Sequence, residues 1–232
     1  MWRDDVMLHR VSVLHTLAKH NIGHAPEILA GDDVWLPPES RARLDEAVNQ
    51  DLAGQRLLTR DRLDDDFYDV LNVIARPARE YFGWVQDEEY GNYALSVAGS
   101  GRSCVLVLRR GNWVRFMPAQ ADRMAETWLD QIRAVPAGGA ASISLPEAEA
   151  PWVTGEPCTP EARRFLTLLD LPRFGGGQVH ARSGTEKSAP LTYLDTTDGR
   201  WLLSSDGDGR DRWITAAPGT PAEFARKMHA MV

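Results

Sequence analysis

Two series of four β-prone runs, each entered from a helical stretch and followed by another, occupy successive parts of this 232-residue chain. That recurrence restricts its fold more than any other feature. The first series is YFGWVQ, NYALSVA, CVLVLRR and WVRFM, from Tyr81 onward; the second is GQVHAR, PLTYLD, RWLLSS and RWITAA. The turn signals GSGRS and RRGN leave room only for short hairpins, so neighbouring strands run antiparallel. The match extends to residues: FGWVQ (Phe82 to Gln86) and FGGGQ (Phe174 to Gln178) share F-G-x-x-Q. Trp113-Val114 is followed by Pro118, Met124 and Ala125, and Trp213-Ile214 by Pro218, Phe224 and Ala225, at a constant offset of 100 positions.

The pattern predicts an α+β fold of quasi-two-fold duplicated units, each a helix, a four-strand meander and a helix. A central antiparallel sheet flanked by helical bundles would bury the edges that separate meanders leave open. The halves fall at about 1–135 and 160–232 of a single domain, joined by an Ala-, Gly-, Pro- and Glu-rich connector over 136–159 with one short strand at ISL. Equivalent repeat positions point to a core role for Trp113 and Trp213.

Helical spacing predicts the remaining elements. VSVLHTLAKH places Val13, Leu14 and Leu17 on one side. The next helix opens at Pro38-Glu39, aligns Leu44, Val48 and Leu52, and stops near Gly54. Asp64 to Asp66 suit the N-terminus of a third, whose stripe is Phe67, Val70, Leu71 and Ile74 and whose end is marked by Pro77. QADRMAETWLDQI, TPEARRFLTLLDL and TPAEFARKMHAM supply three more.

No catalytic constellation emerges. FGGGQVHARS invites a phosphate-loop reading, but a P-loop needs a later G-K-[ST] and a helix at once, and a dinucleotide loop needs a glycine where His180 stands. The run is instead expected to be a corner where the chain enters a strand. Asp206 and Asp208 of SSDGDGRDR suggest a calcium loop, yet the twelfth position is Ala217 and strands flank it. His9, His15, His20 and His24 lack zinc-site spacing. The carboxylates at Asp64 to Asp66 and Asp87 to Glu89 suit a helix N-terminus and a solvated loop, because abundance alone does not make a dyad. Cys104 opens an apolar run and reads as a buried hydrophobe, whereas Cys158 falls in the connector. No cofactor is implied.

A net charge of −7 opposes a nucleic-acid surface, and lysine occurs only at 19, 187 and 227, which fits compositional bias better than phosphate binding. No stretch has the length of a membrane span and the start lacks a secretion signal, so a cytoplasmic location is expected.

The run FGGGQVHARSGTEKSAPLTYLDTTDGRWLLSSDGDGRDRWITAAP resembles the EspG family. Its features are a GGGQ strand entry, a strand ending in LDT, a D-G-R-W hairpin and a last strand ending in AP. CVLVLRRGNWVRFMPAQADRM resembles the family's first-half hairpin and following helix, so the likeness covers roughly 38 to 231. It implies a quasi-two-fold α+β fold and a cytosolic, cofactor-free chaperone of type VII (ESX) secretion. That chaperone would cap the apolar tip of a helical PE/PPE-like substrate; a scaffold or regulator on the same fold is the alternative. Family contacts form a surface, so candidates come from residue type: Trp84, Tyr93, Tyr193 and Trp201, aromatics on predicted strands, suit partner anchoring and core packing alike.

Overall fold

The computed structural model describes residues 5–30, 38–60, 62–150, 153, 155, 159–207 and 211–232. Cys158 and Asp208 lie outside them. The chain forms two compact units: Met1–Trp84, Asn92–Trp128 and Arg182–Glu186 in the first, and Val85–Gly91, Leu129–Ala181 and Lys187–Val232 in the second. Antiparallel sheet dominates both, with a few helices packed on it.

In the first unit the strand order is β1 (Val6–His9), β7 (Trp113–Pro118), β6 (Ser103–Arg110), β5 (Tyr93–Ser100) and β4 (Arg79–Asp87). The end of β4 belongs to the second unit. Three helices, α1 (Arg10–Lys19), α2 (Pro38–Gly54) and α3 (Asp65–Ala75), share one core with the sheet, and a small hairpin of β2 (Leu58–Thr59) and β3 (Arg62–Leu63) precedes α3. Helix α3 starts where Asp64 accepts a hydrogen bond from Phe67 N at 2.9 Å, so its first turn is capped as its aspartates suggest. Its stripe of Phe67, Val70, Leu71 and Ile74 is buried against Val105, Val107, Val114 and Phe116. On the other face α4 (Met124–Leu129) brings the Met124 sulfur close to Gly99 of β5.

The second unit has the order β9 (Arg173–Ser183), β11 (Leu191–Thr196), β12 (Gly199–Asp206), β13 (Trp213–Pro218) and β8 (Ile143–Pro146), with the short β10 (Glu186–Lys187) pairing β9. Helix α5 (Pro160–Leu169) lays Ala162, Phe165 and Leu168 on Ile143, Leu145, Trp201, Ile214 and Ala216. The C-terminal helix α6 (Pro221–His229) buries Phe224 and Met228. Both helices begin Thr-Pro: the Thr159 and Thr220 hydroxyls accept from Ala162 N and Glu223 N at 3.2 and 3.1 Å, and the proline fills the first helical position, where no N–H is needed. Thr220→Ala is expected to cost about 1 kcal/mol in urea unfolding.

Strand β1 has no counterpart among the elements expected from the sequence. Its pairing repeats elsewhere: Val6, Met7, Leu8 and His9 oppose Phe116, Arg115, Val114 and Trp113, while Ile143, Ser144, Leu145 and Pro146 oppose Ala216, Thr215, Ile214 and Trp213. Burial alternates identically along the two strands. The following hairpins also agree, since β6 and β12 are each 8 residues long and β7 and β13 each 6.

The glycine run is strand interior rather than a corner before a strand. Gly175, Gly176 and Gly177 pair with Asp195, Leu194 and Tyr193, and the register slips at Phe174, between Gly175 and Arg173. A Cβ on Gly176 would stand 2.9 Å from the Tyr193 carbonyl oxygen, so the glycine permits close backbone approach and not a left-handed turn. Among the described residues, no helix is long and apolar enough to cross a membrane.

Candidate partner-binding surface

The four aromatics drawn from the sequence divide by exposure. Trp84 is 39% exposed on β4, its ring edge-to-face with Phe82 at 6.1 Å. Tyr93, Tyr193 and Trp201 are buried. Tyr93 lies under the Arg110 guanidinium at 5.5 Å, and Tyr193 lies between the Arg200 guanidinium at 4.9 Å and the Phe224 ring at 5.4 Å. Trp201 belongs to the core beneath α5.

Trp113 and Trp213, expected in the core, are 51% and 49% exposed. The reason is strand parity. In β7, Val114 and Phe116 point to the helical core, which turns Trp113 and Arg115 outward; in β13, Ile214 and Ala216 do so and turn Trp213 outward. Trp113 packs edge-on to His9 at 5.5 Å, and Arg115 pairs with Asp5, which holds the Asp5 carboxyl below its usual range. Met7, directly opposite Arg115, is 50% exposed. An outward strip of Met7, Trp113 and Arg115 therefore has the aromatic and arginine content of interface cores. Alternation along a strand says which residues share a face, but the faces could be told apart only by knowing which one the helices cover.

The D-G-R-W hairpin that carries the family likeness is a buried polar node. Arg200 Nε and Nη2 donate to the two Asp195 carboxylate oxygens at 2.6 and 2.7 Å, and Nη2 also donates to the Arg133 carbonyl at 2.8 Å. Both side chains are nearly inaccessible, so this fork-to-fork pair neutralises two charges that neither could carry alone in the interior. The Arg200 backbone extends the node. Its N–H donates to Pro136 O at 2.7 Å, and its carbonyl accepts from Gly138 N at 2.9 Å and from Gly219 N at 2.7 Å. Asp198 Oδ2 accepts from Trp201 Nε1 at 3.2 Å and Gly139 N at 3.1 Å. Residues 136–139 are thereby strapped across the hairpin. Gly138 is required there, because a Cβ would fall 2.2 Å from the Trp201 ring. LDT, D-G-R-W and the final A-P-G thus meet at one place for a structural reason.

Beside that hairpin lies a groove of about 430 Å³ whose floor is Ile143, Leu168, Leu171 and Trp201. Arg163 and Arg164 of α5 stand on its rim. A second, polar recess of about 490 Å³ lies between β12 and α6, where Lys227 Nζ donates to Ser204 Oγ at 3.1 Å.

Groups suited to chemistry are scattered. Among the described residues, no cluster of three or more His, Cys, Asp or Glu side chains could hold a metal ion. Burial pushes the Cys104 thiol up to about 11, the opposite of what a nucleophile needs. His9 caps α1 by accepting from Val11 N, and His15 bonds Asp45 at 2.6 Å. Asp87 accepts from Glu89 N and Tyr90 N and so holds its turn.

Among curated proteins no match is found. A solved structure of the Mycobacterium tuberculosis type VII secretion system chaperone EspG5, in complex with a PE25–PPE41 dimer, is similar over 98% of this chain and 95% of that one. The TM-score is 0.70 at 16% identity, a likeness of fold. The EspG family model matches residues 11–230. With that match running almost end to end, the chain belongs to the EspG family.

Proposed function

We propose that this protein is a cytoplasmic chaperone of type VII secretion that binds a helical PE/PPE-like pair and covers its apolar tip. The observation that carries this reading is the family match over residues 11–230, supported by the fold shared with a chaperone captured on a PE–PPE dimer. The task is physical shielding: an exposed apolar patch of more than a few hundred Å² drives association until something covers it. Binding alone meets that need, and the chain does so without catalysis or cofactor. Trp84, Trp113 and Trp213 give it exposed aromatic area of the kind that anchors interfaces. Tyr93, Tyr193 and Trp201 contribute from beneath, by fixing the strands that present that surface.

We further propose that the two units are copies of one ancestral element. The equal registers of β1 on β7 and β8 on β13 support this; on that proposal the second copy starts at β8, within the segment expected from the sequence to be a connector.

Co-expression tests the function. A PE–PPE pair is expected in the soluble fraction with this protein and in the pellet without it. A pair that binds but is equally soluble alone would mark a scaffold instead, and failure to retain any PE–PPE pair would refute the reading.

A further inference from the structure

The groove beside Trp201 is used by nothing described so far. Its volume of about 430 Å³ lies within the range of clefts that take ligand groups, roughly 300–1,000 Å³. Its polar groups decide what it can take. One Asp198 carboxylate oxygen, Oδ2, accepts from both Gly139 N and Trp201 Nε1. The Thr167 hydroxyl donates to the Arg163 carbonyl of its own helix. Arg164 pairs with Glu161 at 3.0 Å, whereas the exposed Arg163 guanidinium forms no ion pair among the described residues. What remains is an apolar floor with the Arg163 guanidinium and the second Asp198 oxygen beside it, on a chain whose net charge is −7.

A polar metabolite would need several converging donors and acceptors, and the groove offers few: Thr167, Arg164 and Asp198 Oδ2 are engaged within the protein. Two arginines on an acidic chain do not make a nucleic-acid footprint. The complement of this groove is an apolar side chain with a carboxylate close by. A helix delivers that pair at positions three or four apart, which lie on the same face.

We infer that the groove is a docking slot for the secreted partner, receiving one large apolar side chain from a helical segment that carries an acidic residue one turn away. Leu168, Leu171 and Trp201 hold the apolar group, and Arg163 meets the carboxylate. The inference rests on the chaperone reading and adds to it the site and the chemistry of the contact.

The test measures the dissociation constant of the PE–PPE pair that the wild-type protein retains on co-purification, against two groove variants. Thr167→Trp fills the groove from an exposed position of α5, and Arg163→Glu reverses its rim. Thr167→Trp is expected to weaken binding about tenfold or more, and Arg163→Glu about three- to tenfold with a flatter salt dependence. Both should keep the wild-type melting temperature, and Arg163→Glu still decides the matter if the tryptophan variant folds poorly. Affinities within twofold of wild type for both variants would overturn the slot and leave the chaperone reading standing. A wild-type protein that retains no PE–PPE pair would overturn both. A homodimer seen by light scattering and dissociated by Thr167→Trp would assign the groove to a second copy and overturn the slot.

Discussion

Arg200→Met is expected to destabilise the second unit by about 3–5 kcal/mol, because it leaves the Asp195 carboxylate buried without its cation. The loss is a large share of the roughly 5–15 kcal/mol that holds a native protein together. It should lower the melting temperature by roughly 6–20 °C, at 2–4 °C per kcal/mol for a chain of this size. The guanidinium also ties the Arg133 carbonyl and covers the Tyr193 ring, so the strap at 136–139 should exchange its amide hydrogens faster in the variant. Replacing both partners, as Asp195→Leu with Arg200→Met, should recover much of the stability, since the desolvation cost goes with the charges. A single substitution that costs under about 1 kcal/mol would mean that the pair is solvated, contrary to its burial.

The second large effect belongs to the first unit. Phe116 of β7 and Phe67 of α3 are fully buried and meet edge-to-face with centroids 5.7 Å apart. Phe116→Ala is expected to cost about 3–5 kcal/mol, from lost apolar burial and the cavity left behind. A double-mutant cycle with Phe67→Ala should return about 0.5–1.5 kcal/mol of coupling, the specific contribution of the ring pair. Urea titration with calorimetry measures both. Additive losses would show that α3 is held by general burial and not through this contact.

Much of the fold could be read from local chemistry. The stripes of α2 and α3, the aspartates before α3, the Thr-Pro starts of α5 and α6 and the glycines of the tight hairpins each act within one turn of chain. The edge strands were harder. β8 was found as ISL, but β1 is a four-residue run beside charges whose strand character comes from pairing with β7, more than a hundred residues away. Side-chain exposure was harder again. Tyr93, Arg110 and Trp113 follow one another across β5, β6 and β7; Tyr93 is buried and Trp113 is half exposed. Met124 of α4 reaches Gly99, on the same strand as Tyr93, while the outer side of β7 stays open. Which strand a distant helix covers is a tertiary fact without a local signal. The groove was hidden for the same reason, since its floor comes from β8, α5, Leu171 and Trp201.

The family motif changes meaning in this light. GGGQ, LDT and D-G-R-W have structural work: they let β9 approach β11 closely and seat an ion pair that straps the connector. On the proposed reading, the surface offered to a partner combines exposed aromatics with arginines, from positions scattered along the chain.

Size-exclusion chromatography with light scattering, on this protein co-expressed with helical PE–PPE pairs, decides whether it binds such a pair. One peak whose mass is that of the chain plus the pair is expected for at least one such pair. Separate peaks for the chain and for every pair tried would contradict it.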